Sequence, residues 1–145
     1  MQPAAEQAAA FPPIVLTFAA SDPSGGAGLQ ADILTLASMG CHPLSVLTAI
    51  TVQDTLGVEG VQPLDAEWVA DQARCLLEDM PVDVFKIGVL GSVENIAAIA
   101  EILADYPDVP LVLDPVLASG RGVFMGPADA ARRDVDLLHS YTGAA

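Results

Sequence analysis

The sequence predicts an α/β fold, a mostly parallel sheet with flanking helices, and three observations carry that reading. Short apolar, β-branched runs alternate with helix-length amphipathic segments. The first apolar run, Ile14 to Ala20, empties into a Pro/Ser/Gly cluster that opens a helix. Helix-start residues then recur just ahead of the later amphipathic stretches. A chain of 145 residues fits one domain and can bury a real core.

Taken in order, Ile14 to Ala20 reads as a buried strand. Gly28 to Met39 reads as a helix, with Leu29, Ile33, Leu36 and Ala37 at helical spacing and Gly40 as its stop. Leu44 to Val52 reads as one β-branched strand, Asp54-Thr55-Leu56-Gly57 as a turn, and Val58 to Gln62 as a short exposed strand. Asp65 is placed to N-cap a helix to about Asp79 whose apolar face is Trp68, Val69, Ala73, Leu76 and Leu77. Val82 to Ile87 is a strand, Ser92 to Ala104 a helix capped by Ser92, Leu111 to Leu113 another buried strand, and Pro127 to about His139 a last helix. Such alternation, joined by right-handed crossovers, gives parallel pairing.

Composition narrows the partners. Five Lys plus Arg against 19 Asp plus Glu leave a net charge of −14, which argues against nucleic acid and against an anionic membrane. The longest apolar runs are strand-length, short of the roughly 20 residues a membrane span needs. Met1 to Pro13 has no basic start or apolar core and reads as a disordered leader rather than a secretory signal. Cys41 and Cys75 lie far apart without Cys/His clustering, which predicts two buried, reduced thiols in a cytoplasmic protein and no metal site.

Candidate chemistry gathers at the predicted strand ends. Gly25-Gly26-Ala27-Gly28 lets backbone approach a ligand closely, or serves only tight strand–helix packing. It has neither the lysine of a P-loop nor the glycine spacing of a dinucleotide site. Asp22 lies near the end of the first strand, where open α/β sheets place ligands, and Asp32 about one turn into the helix. Gln53 offers donors and an acceptor to a heterocycle edge, or else bonds local backbone in a turn. Lys86, a lone charge in an apolar strand, needs a partner, with Asp83 or Asp114 as the candidates. Asp114 either faces the ligand edge or caps a turn; Arg121 either meets a phosphate or is solvated. His42 and His139 have no partner at metal or triad spacing.

Four of these segments together resemble the hydroxymethylpyrimidine kinase/phosphomethylpyrimidine kinase family of thiamine biosynthesis. They are Asp22-Pro23-Ser24-Gly25-Gly26-Ala27-Gly28-Leu29-Gln30-Ala31-Asp32, Thr48 to Thr55, Lys86-Ile87-Gly88-Val89-Leu90-Gly91, and Val112-Leu113-Asp114-Pro115-Val116. The resemblance covers about Ile14 to Gly122 and implies a ribokinase-like, three-layer α/β/α fold. It also implies two successive ATP-dependent, Mg2+-assisted phosphorylations, first of the pyrimidine's hydroxymethyl group and then of the monophosphate. Carried over by position, Gln53 bonds the pyrimidine edge with backbone near Thr51, and Asp32 meets the ring amine or hydroxymethyl side. Ala20 and Ala27 line the pocket, Val89 stands where the family usually has Met, and Val116 continues that wall.

Beyond Gly122 the family's pattern is not found, nor are its anion hole, catalytic aspartate and ATP pocket, and Gly120 and Arg121 stand where some members carry a lysine. The expectation is therefore a leader at 1–13, a substrate-binding half at 14–122 and a divergent tail at 123–145: a partial ribokinase-like fold, truncated to its N-terminal half. Alone, such a chain is expected to lack kinase activity, to carry no catalytic residue, not to bind ATP or Mg2+, and to self-associate. A non-catalytic pyrimidine-binding protein and a relative of pyridoxal or sugar kinases are the alternatives. The resemblance also implies a small pyrimidine as partner and a homodimer.

Overall fold

The apolar run at the head of the chain folds as β1 (Ile14–Ala19), hydrogen-bonded in parallel to β2 (His42–Leu47) on one side and β5 (Val84–Ile87) on the other. The computed structural model describes residues 11–114. The expected helix at 127–139, Val116, Arg121 and His139 lie outside the described residues.

The main sheet has the order β2-β1-β5-β6, with β6 (Leu111–Leu113) parallel to β5. Being central, β1 is buried on both faces, which explains its unbroken apolar run. One face packs against α1 (Gly28–Ser38), which crosses from β1 to β2. The other carries the core, where Leu16, Phe18, Phe85 and Ile87 meet Val69 and Ala73 of α2 (Ala66–Asp79) and Ile96, Ile99 and Ile102 of α3 (Val93–Ala104). Phe85 stands 6.2 Å from both Phe18 and Tyr106, edge-on to the latter. Each fully buried Val, Leu, Ile or Phe side chain among these contributes about 1.5–3 kcal/mol through removal from water. Both flanking layers are thus present around the sheet, and the expectation of a partial layering is corrected.

The run Leu44 to Val52 is not one strand. It breaks at Thr48, and Ala49–Gln53 becomes β3, paired antiparallel with β4 (Val58–Pro63) in a separate two-stranded sheet. Thr48 causes the break because every polar group it carries is tied elsewhere. Its N–H donates to the Ala19 carbonyl and its hydroxyl to the Val89 carbonyl (2.6 Å), while its own carbonyl accepts from Leu64 N–H and Asn95 Nδ2. The turn between β3 and β4 forms as expected, with Asp54 Oδ1 accepting from the N–H groups of Leu56 and Gly57.

Ser92 caps α3, its hydroxyl accepting the Asn95 N–H, whereas Asp65 occupies the cap position of α2 without a side-chain bond to it. Two burial expectations are corrected. Trp68 is 68% exposed, because the buried stripe of α2 runs through Val69 and Ala73. Cys75 lies on the exposed side of the same helix, and Cys41 is only half-buried. Among the described residues no helix is long and apolar enough to cross a membrane.

Candidate functional site

The strand order reverses between β1 and β5: the chain leaves β1 for β2 on one side and returns to β5 on the other. Ligands of open α/β sheets sit at that crevice, beyond the carboxyl ends of the strands. Here those ends are Ala20-Ser21-Asp22 and Gly88-Val89.

Asp22 is buried and spent on the loop itself. Its Oδ1 accepts from the N–H and hydroxyl of Ser24 (2.9 and 2.7 Å), and its Oδ2 accepts from Ala27 N–H (2.8 Å). Gln30 Oε1 in turn accepts the Asp22 N–H. The loop then presses onto the strand. Leu29 N–H donates to the Ala20 carbonyl (2.8 Å), and a Cβ at Gly28 would stand 2.5 Å from that oxygen. With φ at +62°, Gly28 admits a side chain by neither its backbone angle nor the space around it.

Asp32 projects from the first turn and a half of α1 onto the sheet. Its Oδ2 accepts from the Thr17 hydroxyl (2.6 Å), and its two oxygens lie 2.9 and 3.0 Å from Lys86 Nζ. Thr17 and Lys86 are register partners on β1 and β5, so both point to the α1 face. Asp32, not Asp83 or Asp114, is therefore the partner of Lys86. Asp83 lies three residues back, an odd step that turns it to the opposite face, and its Oδ2 accepts the Ile14 N–H instead. Asp114 stays exposed past the end of β6. The ammonium reaches forward over Gly88, to within 3.5 Å of where a Cβ there would stand, and so lies at the ligand edge of the sheet.

On the other side of the crevice, β3 docks on the loop through Ser21. Ser21 N–H donates to the Ala49 carbonyl, Thr51 N–H donates to Ser21 Oγ (3.0 Å), and Thr51 Oγ1 is 2.7 Å from the Ser21 carbonyl oxygen. Thr51 Oγ1 is also 2.7 Å from Gln53 Oε1. The pairing of β3 with β4 shifts register between Val52 and Gln53, where Gln53 faces Val58 and Glu59 bulges out. Such a bulge twists the strand end that carries Gln53. Val89 is half-buried, its carbonyl engaged by Thr48. Ala20 is buried under the loop and Ala27 exposed at the helix start.

The structure thus places Ala20, Ala27 and Asp32 along the loop and helix start, Thr51 and Gln53 on the docked hairpin, and Val89 after β5. Thr17, Ser21 and Thr48 were not singled out from sequence as carrying the site. The signal for Thr17 was a lone hydroxyl in an otherwise apolar strand. Among the described residues no group of three or more His, Cys, Asp or Glu side chains could hold a metal ion. A separate cavity of about 390 Å³ lies at the opposite end of the sheet, lined by Phe11, Pro12, Ile14, His42, Pro81 and Asp83.

Comparison with known proteins decides the family. The family model described as phosphomethylpyrimidine kinase matches residues 22–140. The chain belongs to the phosphomethylpyrimidine kinase family. The hydroxymethylpyrimidine/phosphomethylpyrimidine kinase of Streptomyces coelicolor is 47% identical over 77% of this chain and 41% of its own length. The solved phosphomethylpyrimidine kinase of Clostridium difficile 630 matches with a TM-score of 0.76 and 41% identity, covering 83% of this chain and 52% of that one. A pyridoxal kinase from Staphylococcus aureus, solved with pyridoxal, matches with a TM-score of 0.66 and 34% identity over 74% of this chain and 40% of that one.

These matches correct the expectation of a kinase truncated near Gly122 and inactive on that account. The phosphomethylpyrimidine kinase match continues to residue 140, and most of the chain lies within the aligned regions. The chain spans 41% of the length of the Streptomyces relative.

Proposed function

We propose that the protein acts in the ATP-dependent phosphorylation of 4-amino-5-hydroxymethyl-2-methylpyrimidine and its monophosphate in thiamine biosynthesis, and that residues 20–89 carry its acceptor-binding wall. The observation that supports this most directly is the pair of polar groups flanking the switch point, Asp32 on α1 and Gln53 on the docked hairpin. Small ligand sites want mostly apolar walls with a few placed polar groups, and Ala20, Ala27 and Val89 supply the former. Thr51 belongs to the same wall, and Val116 is retained from the family pattern.

Asp32 keeps capacity for a ligand. Lys86 and Thr17 occupy three of the roughly four positions at which a carboxylate accepts, leaving one on Oδ1 for an amine or hydroxyl hydrogen. Phosphoryl transfer rests on positioning and on stabilising the transferring group electrostatically. In this reading the wall fixes the ring and presents its hydroxymethyl oxygen, while ATP with Mg2+ supplies the phosphoryl group. Among the described residues no group of three or more His, Cys, Asp or Glu side chains offers a ligand set for Mg2+.

The test is calorimetric titration of the pyrimidine into the full chain and its Gln53→Ala variant, followed by a phosphorylation assay with ATP and Mg2+. Saturable binding weakened roughly tenfold or more in the variant supports the reading. A second reading, pyridoxal as acceptor, is favoured by the likeness to the Staphylococcus aureus enzyme solved with pyridoxal. Tighter binding of pyridoxal than of the pyrimidine in the same titration would replace the first reading with the second.

A further inference from the structure

The Thr51 hydroxyl has one hydrogen and two acceptors waiting for it, the Ser21 carbonyl and Gln53 Oε1, each at 2.7 Å. Thr51 is 3% exposed, so water does not make up a missing bond. The backbone carbonyl of Ser21 cannot donate and cannot turn. The Gln53 carboxamide can, because a half turn about its Cγ–Cδ bond exchanges oxygen and nitrogen at nearly the same places. With the amide turned, Thr51 donates to Ser21, the Gln53 NH2 group donates to Thr51 Oγ1, and all three groups are satisfied.

We infer that Thr51 is a specificity-determining positioning residue, which locks the Gln53 amide with its nitrogen inward and its oxygen free for the ligand. This rests on the reading of Gln53 as a contact to the heterocycle. A free glutamine reads two opposite patterns equally well, simply by turning over. An aminopyrimidine edge presents an amine donor beside a ring-nitrogen acceptor. Its 4-oxo counterpart presents a carbonyl acceptor beside a ring N–H. A locked amide, oxygen toward the amine and its second N–H toward the ring nitrogen, accepts only the first. The oxo compound then sets oxygen against oxygen, a mismatch in a site built to pair. The lock is itself anchored, since the Thr51 N–H donates to Ser21 Oγ and fixes the strand against the loop.

The experiment compares dissociation constants of the full chain for 4-amino-5-hydroxymethyl-2-methylpyrimidine and its 4-oxo analogue, in wild type, Thr51→Val, Thr51→Ser and Gln53→Ala. Wild type is expected to prefer the amino compound by roughly tenfold to a hundredfold. Thr51→Val is expected to reduce that preference to within about threefold, and Thr51→Ser, which keeps the hydroxyl, to retain it. A full preference in Thr51→Val overturns the lock while leaving Gln53 as a contact. Unchanged pyrimidine binding in Gln53→Ala overturns the underlying reading instead. A measurement on unmutated protein judges the lock even where Thr51→Val fails to fold or no ligand binds. The Gln53 side-chain NH2 protons should show nuclear Overhauser contacts to the Thr51 side chain, and their absence, with the amide oxygen inward, overturns it.

Discussion

Lys86 and Asp32 lie 54 positions apart and meet across two layers of the fold, the ammonium 2.9 and 3.0 Å from the two carboxylate oxygens. Their side chains are 24% and 16% exposed, so the pair is largely withdrawn from solvent. Lys86→Met removes the cation and leaves the carboxylate held by Thr17 alone. The expected loss is about 1–3 kcal/mol, measured by urea denaturation, because an unpaired, mostly buried charge is costly. Adding Asp32→Asn should restore at least half of it. A loss in Lys86→Met below about 0.5 kcal/mol would mean that the pair is screened like a surface contact.

Three glycine-to-alanine changes should separate by mechanism. At Gly88 an added Cβ meets Ala19 Cβ at 3.4 Å and Lys86 Nζ at 3.5 Å, ordinary contacts, so little change is expected. At Gly25, with φ +79° and open space, the cost is the left-handed backbone alone, about 1–2 kcal/mol. At Gly28 the same penalty adds to a 2.5 Å clash with the Ala20 carbonyl, so the loss should be the largest of the three and should detach the loop from β1. Thermal melts of the three variants check the order.

Asn95 is wholly buried and its Nδ2 donates to the carbonyls of Thr48 (3.1 Å) and Leu90 (2.9 Å). Asn95→Ala should cost about 1–3 kcal/mol through those unmatched acceptors. Asn95→Asp should cost more, since it turns a carboxylate toward two carbonyl oxygens. An equal or smaller loss for the aspartate variant in denaturant titrations would mean that this amide does not hold the break between β2 and β3.

The exposed side of α2 should tolerate change that its buried stripe does not. Trp68→Gln is expected to stay within about 0.5 kcal/mol of wild type, while Ile99→Ala, in the core facing α2, should lose about 2–5 kcal/mol. Denaturation midpoints test the pair. On the same exposed side, the Cys75 thiol should react with a maleimide in the native protein ahead of Cys41.

Much of the architecture was legible because it is written locally. The burial of β1 follows from an unbroken apolar run, the loop from its glycines, the start of α3 from Ser92, and the turn from Asp54. The break at Thr48 was not legible, since no glycine or proline marks it and the threonine is engaged by groups distant in sequence, Ala19, Leu64, Val89 and Asn95. The partner of Lys86 was missed for a similar reason. Asp83 and Asp114 were the candidates, but strand parity turns Asp83 away and Asp114 stays exposed past β6, while Asp32 arrives only when α1 folds back over β1. Trp68 was read into the apolar face with Val69, Ala73, Leu76 and Leu77; the buried residues of the helix are Val69 and Ala73, and Trp68 falls outside that stripe. Gln53 was visible as an amide at a strand end, whereas Thr51 gains its second acceptor only once β3 docks on Ser21.

The departure of the chain at Thr48 has a consequence for how such proteins change over generations. Gln53 rides on a two-stranded arm whose outward residues Ile50 and Val52 are exposed and whose neighbours add little to the main core. In the proposed reading, Gln53 therefore meets the acceptor from outside the main core, whereas Asp32 serves both the acceptor wall and the pair with Lys86. Mutations at the arm's exposed positions, Ile50 and Val52, are separated from the packing of the main core, unlike changes at the buried Ala49 and Thr51. That separation gives a lineage a short route from one flat, nitrogen-bearing acceptor to another.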